Sequence, residues 1–203
     1  LVFKDLIMNM IRSSIIMLLV LTLLTGIAYP LMVTGLANVF FPWQAKGSLV
    51  TRDEQVIGSK LIGQNIQSEG YFHGRPSATA ETPYNPLASG GSNLAVSNPV
   101  LQQTMAERSK LLRAQNPDAG NAIPVDLLTA SASGLDPNIS VDAAIYQAPR
   151  IAKNRQISLE AVKSLITAQT ETASLPFLGE PIVNVLQLNL ALDEYMQQMN
   201  SQR

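Results

Sequence analysis

The sequence predicts an α+β protein in which one N-terminal transmembrane helix precedes a single mixed, helix-rich soluble domain with a few short strands. Three observations carry this. No charged residue lies between Arg12 and Lys46. Residues 42–203 then provide a stretch of one-domain length. Within that stretch, capped helix starts are interspersed with short apolar pieces separated by glycine and proline.

The spanning element comes first. Ile15 to Leu36 is 22 residues, of which 12 are Ile, Leu or Val. A helix rises about 1.5 Å per residue and the hydrocarbon core is about 30 Å thick, so about 20 residues suffice. At roughly −0.3 to −0.6 kcal/mol each, the aliphatic residues supply about −4 to −7 kcal/mol toward insertion. Pro30 and the glycines subtract from this without cancelling it. A kink is expected near Tyr29-Pro30, with the helix running on toward Phe40. Tyr29 and Trp43 are the expected interfacial anchors. Gly26-Ile27-Ala28 has the small-x-small form of a signal-peptide cleavage site. The apolar run continues well past it, so an uncleaved anchor over residues 13–41 is expected.

Orientation is weakly encoded. Lys4 and Arg12 precede the run, and Lys46, Arg52 and Lys60 follow it. The short tail of residues 1–12 favours a cytoplasmic N-terminus and a periplasmic residue 42–203 domain. A start residue upstream of Leu1 is expected. Thr22, Gly26, Ala28 and Gly35 are small and suit close packing against another membrane helix, with lipid-facing filler as the alternative.

Composition excludes several function classes. Charged residues are 14% of the chain, against roughly 25% in typical soluble proteins. The anchor does not account for this. Removing Lys4, Arg12 and Asp5 takes the 14 basic and 15 acidic residues to 12 and 14, so residues 42–203 carry net −2. A charge-poor surface suits a domain docked on partners. No basic stripe exists, so nucleic acid is not an expected partner. With no Cys and one His, disulfides are excluded and zinc sites and His-based triads nearly so.

Along the domain, residues 44–67 carry short apolar pieces between glycines and predict two or three short strands or turns. Residues 68–98 form a long loop rich in Gly, Pro, Ser, Thr and Asn. Its aromatics Tyr71, Phe72 and Tyr84 argue for order. Ser97 or Asn98 then caps a helix with Pro99 at its first position, ended by Asn116-Pro117. Pro124 opens a short helix through Leu128. I-S-V-D-A-A at Ile139 and I-S-L-E-A-V at Ile157 each place a capping Ser before an acid near the positive helix end. The first of these helices contains or ends near Pro149, and the second runs toward Gln169. The tail from Ile182 alternates like a strand at first, but Asn184 and Gln187 fit a capping box, and helix is the preferred reading.

Candidate chemistry is sparse. His73, in Y-F-H-G-R-P, lacks ligand partners and an evident nucleophile, and is expected to be a hydrogen-bonded loop residue. Arg75 beside it is either an anion contact or a pin for loop carbonyls. Ser89, Gly90, Gly91 and Ser92 can cradle a phosphate with backbone N–H groups. They lack the Lys-Ser/Thr that completes a phosphate loop, and a structural turn is preferred. No spacing singles out a Ser–Lys hydrolase pair. Neither a catalytic residue nor a metal site is expected.

G-Y-F-H-G-R-P-S-A-T-A at Gly70–Ala80 and Y-N-P-L-A-S-G-G-S-N-L at Tyr84–Leu94 resemble the C subunit family (KdpC) of Kdp potassium-transporting ATPases. So do F-P-W-Q-A-K-G-S-L at Phe41–Leu49, L-I-G-Q-N at Leu61–Asn65, T-A-S-A-S-G-L-D at Thr129–Asp136, P-R-I-A-K at Pro149–Lys153 and V-N-V-L-Q-L-N-L-A-L-D at Val183–Asp193. The resemblance implies a single-pass subunit in a bacterial inner membrane, surrounded by lipid. In that family a channel-like A subunit carries the potassium filter, a P-type B subunit hydrolyses ATP, and a small single-helix F subunit completes the complex. This chain has no D-K-T-G-T motif and no T-V-G-Y-G filter loop, so hydrolysis and transport fall to the partners.

Two roles are attached to such a subunit. One is assembly together with a cap over, or tuning of, the potassium-entry subunit. This role needs no cofactor here, and potassium is carried by the partners. The other is a catalytic chaperone that binds ATP, with Ser89–Ser92 as the nucleotide contact, and raises the ATP affinity of the B subunit. An exported domain lies across the bilayer from cytoplasmic ATP, which favours the first. Tyr71, Phe72, His73, Arg75 and Tyr84 on the domain, and Thr22 and Gly26 on the anchor, are the expected partner contacts.

Overall fold

The computed structural model describes residues 2–173, 175, 177 and 179–201. The architecture is mixed α+β, and the chain divides into two compact units, Leu1–Leu49 and Val50–Arg203.

In the first unit, α1 (Val2–Leu23), a π-helical turn (Leu24–Ala28) and α2 (Tyr29–Phe40) follow one another without a break. Phe3–Phe40 is 38 residues with a mean hydropathy of 2.3 in its best window, long and apolar enough to cross a membrane. The expected disturbance at Tyr29-Pro30 takes the form of the π turn. Pro30 has no N–H and its ring crowds the carbonyl four residues back. Widening the preceding turn relieves that crowding, and the Tyr29 N–H donates to the Leu24 carbonyl, five residues back. Phe41 leaves the helical region at φ −136°, and Pro42 starts the short α3 (Pro42–Ala45). The Trp43 indole N–H donates to the Leu49 carbonyl at 2.9 Å.

The second unit opens with β1 (Leu49–Arg52) and β2 (Gln55–Ser59), paired as a two-stranded sheet. Asp53 and Glu54 connect them with φ of 49° and 63°, as a mirror-image hairpin turn requires. After the long loop come α4 (Pro99–Gln115), α5 (Val125–Leu128), β3 (Asn138–Ser140), α6 (Val141–Arg155), α7 (Leu159–Ala168), β4 (Thr170–Glu171), β5 (Ile182–Asn184) and α8 (Val185–Ser201). Three strands pair in the order β3-β5-β4, both pairs antiparallel, with Val183 opposite Ile139 on one side and Thr170 on the other.

The predicted caps are in place. Asn98 accepts from the Val100 N–H at 2.9 Å, Ser140 from Ala143 at 3.0 Å and Ser158 from Ala161 at 3.1 Å. Asn184 accepts from the Gln187 N–H at 3.1 Å. The tail is therefore both things its pattern suggested: three residues of strand, then a capped helix. Pro149 lies inside α6, where its ring leaves the Ile145 carbonyl without the usual donor. The core joins the inner faces of α6, α7 and α8 through Ile151, Val162, Ile166, Leu188 and Leu192, with Ile139 and Val183 from the sheet.

One loop residue completes that core. Phe72 is fully buried, and the backbone around it pairs with no strand among the described residues. Side chains of α6 and α8 take the place of a strand. Asn189 accepts from the Phe72 N–H at 2.8 Å and donates to the Phe72 carbonyl at 3.0 Å. Gln147 does the same for His73, at 2.8 and 3.1 Å. Arg150 donates to the carbonyls of Glu69 and Tyr71, and Arg155 to that of Gly70 at 2.8 Å. Five successive carbonyls, Glu69 to His73, are thus held by four side chains.

Phe72→Ala should lower stability by about 3–5 kcal/mol. Asn189→Leu keeps the volume apolar but strands a buried N–H and carbonyl, at a cost of about 2–5 kcal/mol. Chemical denaturation of the full chain in detergent, followed by far-UV circular dichroism, measures both. A loss under about 1 kcal/mol for either change would contradict this account of the loop.

Candidate functional site

The clamp sorts the expected contact residues into two groups. Tyr71 and Phe72 turn inward. The Tyr71 hydroxyl donates to Asp193 at 3.1 Å, and the Arg155 guanidinium stacks 4.2 Å from the Tyr71 ring centroid. Asp193 also receives Arg155 at 3.0 Å and Arg52 at 3.2 Å. Phe72 is enclosed in the core, so it has no surface to offer a partner. The other three, His73, Arg75 and Tyr84, come together on the wall of a cleft of about 530 Å³.

This cleft runs between the loop and α4, with Arg108, Leu111 and Gln115 on the helix side. His73 is half-buried, and its Nε2–H donates to the Ser68 carbonyl at 3.0 Å. Burial, reinforced by the Arg150 charge, lowers its pKa. The Tyr84 hydroxyl donates to the Arg75 carbonyl at 2.6 Å, and its pKa is pushed up to about 12, first by burial and then by Asp136. A Cβ at Gly74 would lie 2.6 Å from that hydroxyl, so glycine there lets the loop pass close to the ring. Arg75 pairs with Asp136 through Nη1 at 3.2 Å; among the described residues its side chain holds this carboxylate and no loop carbonyl. Its buried Nε has no partner among the described residues, an arrangement that costs about 1–3 kcal/mol. Arg108 donates from Nη1 to the Leu128 carbonyl at 2.8 Å.

Among the described residues no Asp or Glu lines this cleft. A second recess of about 530 Å³ shares Arg75 and is lined by Asp126, Asp136, Asp142 and Glu180. Arg75 thus stands in a wall between a cationic hollow and an acidic one. No group of three or more His, Cys, Asp or Glu is arranged for a metal ion among the described residues.

Ser89–Ser92 lies apart from both hollows. The Ser89 hydroxyl and the Gly90 N–H both donate to the Ser133 carbonyl at 2.9 Å. Gly91 passes so close to a neighbouring strand of backbone that a Cβ would sit 3.0 Å from the Ala132 carbonyl oxygen. Two donors that a phosphate would need are therefore engaged in holding the turn. On the anchor, Gly26 lies within the π turn and Thr22 one turn before it.

Sequence reasoning passed over the residues that organise this region: Gln147, Arg150, Arg155, Asn189 and Asp193. A signal was present. Gln147 and Arg150 fall on the buried face of α6, and Asn189 on that of α8, among Ala, Val, Ile and Leu. A polar group on an apolar face needs a partner, and the loop backbone is that partner. Arg150 is 5% exposed and forms no ion pair within salt-bridge distance among the described residues. It donates instead to two loop carbonyls, Asn116 at 3.0 Å and Gln147 at 2.8 Å. Burial brings its pKa down to about 10, so it stays charged at neutral pH.

Residues 11–194 match the family KdpC, K+-transporting ATPase, c chain. The chain is 59% identical over 186 residues to the potassium-transporting ATPase KdpC subunit of Yersinia enterocolitica, covering 92% of this chain and 93% of that one. It is 55% identical to the KdpC subunit of Klebsiella pneumoniae strain 342, covering 92% and 97%. With the KdpC subunit of Escherichia coli O7:K1 it shares 54% over 92% and 98%.

The lowered His73 pKa has a consequence for stability. Unfolded His73 takes up a proton near its ordinary value of about 6.5. Folded His73 resists until lower pH, so its contribution is full above that value and is lost as pH falls through the folded pKa. Denaturation midpoints at about pH 7.5 and about pH 5.5 should fall further for the natural chain than for His73→Gln. An equal or opposite slope in the variant would contradict the assignment.

Proposed function

The chain belongs to the KdpC family of K+-transporting ATPase c chains, and on that premise we propose that it is a non-catalytic accessory subunit of an ATP-driven potassium uptake complex. Its work is assembly, and capping or tuning of the potassium-entry subunit. One observation carries the reading: a bilayer-length apolar helix precedes a charge-poor domain whose long loop is held rigid while presenting a cationic cleft. That is the construction of a docking piece.

In this reading the N-terminus is cytoplasmic and the domain lies on the periplasmic side. There it meets the channel-like A subunit, with His73, Arg75 and Tyr84 on its contact face. The anchor packs within the inner membrane through the region of Thr22 and Gly26. The P-type B subunit supplies ATP hydrolysis, and the small F subunit completes the complex. The alternative, an ATP-binding chaperone acting through Ser89–Ser92, draws no support from a turn whose Ser89 hydroxyl and Gly90 N–H are already engaged.

Deleting residues 50–203 while keeping the anchor should abolish recovery of the intact complex and potassium uptake at low external potassium. Recovery of a fully active complex without the domain would overturn the proposal. An alkaline phosphatase fused after Arg203 should be active, whereas a reporter that works only in the cytoplasm should not. The reverse pattern would favour the nucleotide-binding role.

A further inference from the structure

The cleft between the loop and α4 is the feature whose chemistry the accessory role leaves unassigned. Residues 42–203 carry net −2, yet this hollow contains Arg75 and Arg108 and no acidic side chain among the described residues. Each guanidinium uses one nitrogen on a protein acceptor, Asp136 and the Leu128 carbonyl respectively. The remaining donors of both forks have no hydrogen bond among the described residues. Leu111 lies on the same cleft and is 58% exposed.

We infer that this cleft receives an acidic side chain, Asp or Glu, on an extended segment of a sister subunit of the complex. The inference rests on the accessory reading above. Charge decides the occupant. A guanidinium presents a fork matched to a carboxylate. Arg75 is already paired with the Asp136 carboxylate, so the net positive charge available is close to that of Arg108 alone. One carboxylate balances that; a di- or triphosphate would remain undercompensated. The amides follow the same logic. Gln115 makes no side-chain hydrogen bond among the described residues, and Gln67 donates to Asn65 at 3.3 Å with its oxygen still open. Such groups offer both a donor and an acceptor, which is what the alternating N–H and carbonyl groups of a peptide backbone require. Exposed Leu111 supplies apolar contact for the stem of the acidic residue.

The test uses the full chain co-expressed with its sister subunits, carrying a photoreactive benzophenone amino acid in place of Leu111. Irradiated complexes are digested and the adduct is sequenced. The expected product is a sister-subunit peptide that contains Asp or Glu within a few residues of the attachment point. Arg108→Gln should lower its yield about tenfold, and Arg108→Lys much less. Raising salt should weaken capture of the natural chain more than that of Arg108→Gln. Because Arg108 also holds the Leu128 carbonyl, a second variant protects the result: with the probe moved to Gln115, Leu111→Glu should repel the acid and lower the yield while leaving the denaturation midpoint unchanged.

No adduct, an adduct without a nearby acid, an adduct insensitive to both substitutions, or one whose formation is suppressed by ATP added before irradiation would each overturn the inference. The accessory role would survive any of these if removal of residues 50–203 still disrupts the complex. If that removal has no effect, the accessory role itself fails.

Discussion

A chain segment with no strand beside it cannot be buried unless something else satisfies its backbone, and this constraint shapes the second unit. Phe72 brings an aromatic ring into the core, and the peptide groups on either side must follow it. Gln147, Arg150, Arg155 and Asn189 answer the demand with one donor for each carbonyl from Glu69 to His73. Arg150 is central because it reaches two of those carbonyls and also braces Gln147. A buried guanidinium without a direct ion pair is normally unfavourable. Here carbonyl and amide dipoles surround it, so the charge persists and the loop is the structure that solvates it.

That arrangement explains how a charge-poor domain keeps a polar cleft on its surface. The strong electrostatic partners are engaged with one another: half-buried Asp193 holds Arg52, Arg155 and the Tyr71 hydroxyl together. What remains outside is sorted by Arg75, whose ion pair with Asp136 lies between an acidic recess and a cationic one. The separation of charge is therefore tied to the same loop that completes the core. A rigid loop needs little further ordering when it meets a partner, which lowers the entropic cost of association.

Much of the fold was legible because helix boundaries are local events. Asn98, Ser140, Ser158 and Asn184 announce helices within three residues of themselves, and each caps as its neighbours require. The π turn was partly legible. Pro30 marks a disturbance, but which carbonyl takes the strain depends on backbone geometry that composition does not encode. The loop was the hard part. Its aromatics signal order, yet they do not say which way each ring faces, and that is decided by residues 74 to 122 positions further on. Tyr71 and Phe72 thus read like surface contacts, yet Phe72 is buried in the core and the half-buried Tyr71 is engaged by Asp193 and Arg155. The polar residues on the buried faces of α6 and α8 were the available clue, since each is an exception to its helix's own pattern.

The distance between Phe72 and Asn189 also sets an order of events. Phe72 leaves the ribosome 117 residues ahead of the amide that will hold it, and the Tyr71 hydroxyl waits 122 residues for Asp193. Contacts this far apart carry a large closure entropy and form late. Until α8 has been synthesised, the Phe72 peptide lacks Asn189 and the Tyr71 hydroxyl lacks Asp193, although α6 already offers donors for the carbonyls on either side; β5, which joins β3 to β4, immediately precedes it. Since α8 supplies both a core face and the last clamp, the core around Phe72 is complete only when the C-terminal helix is in place.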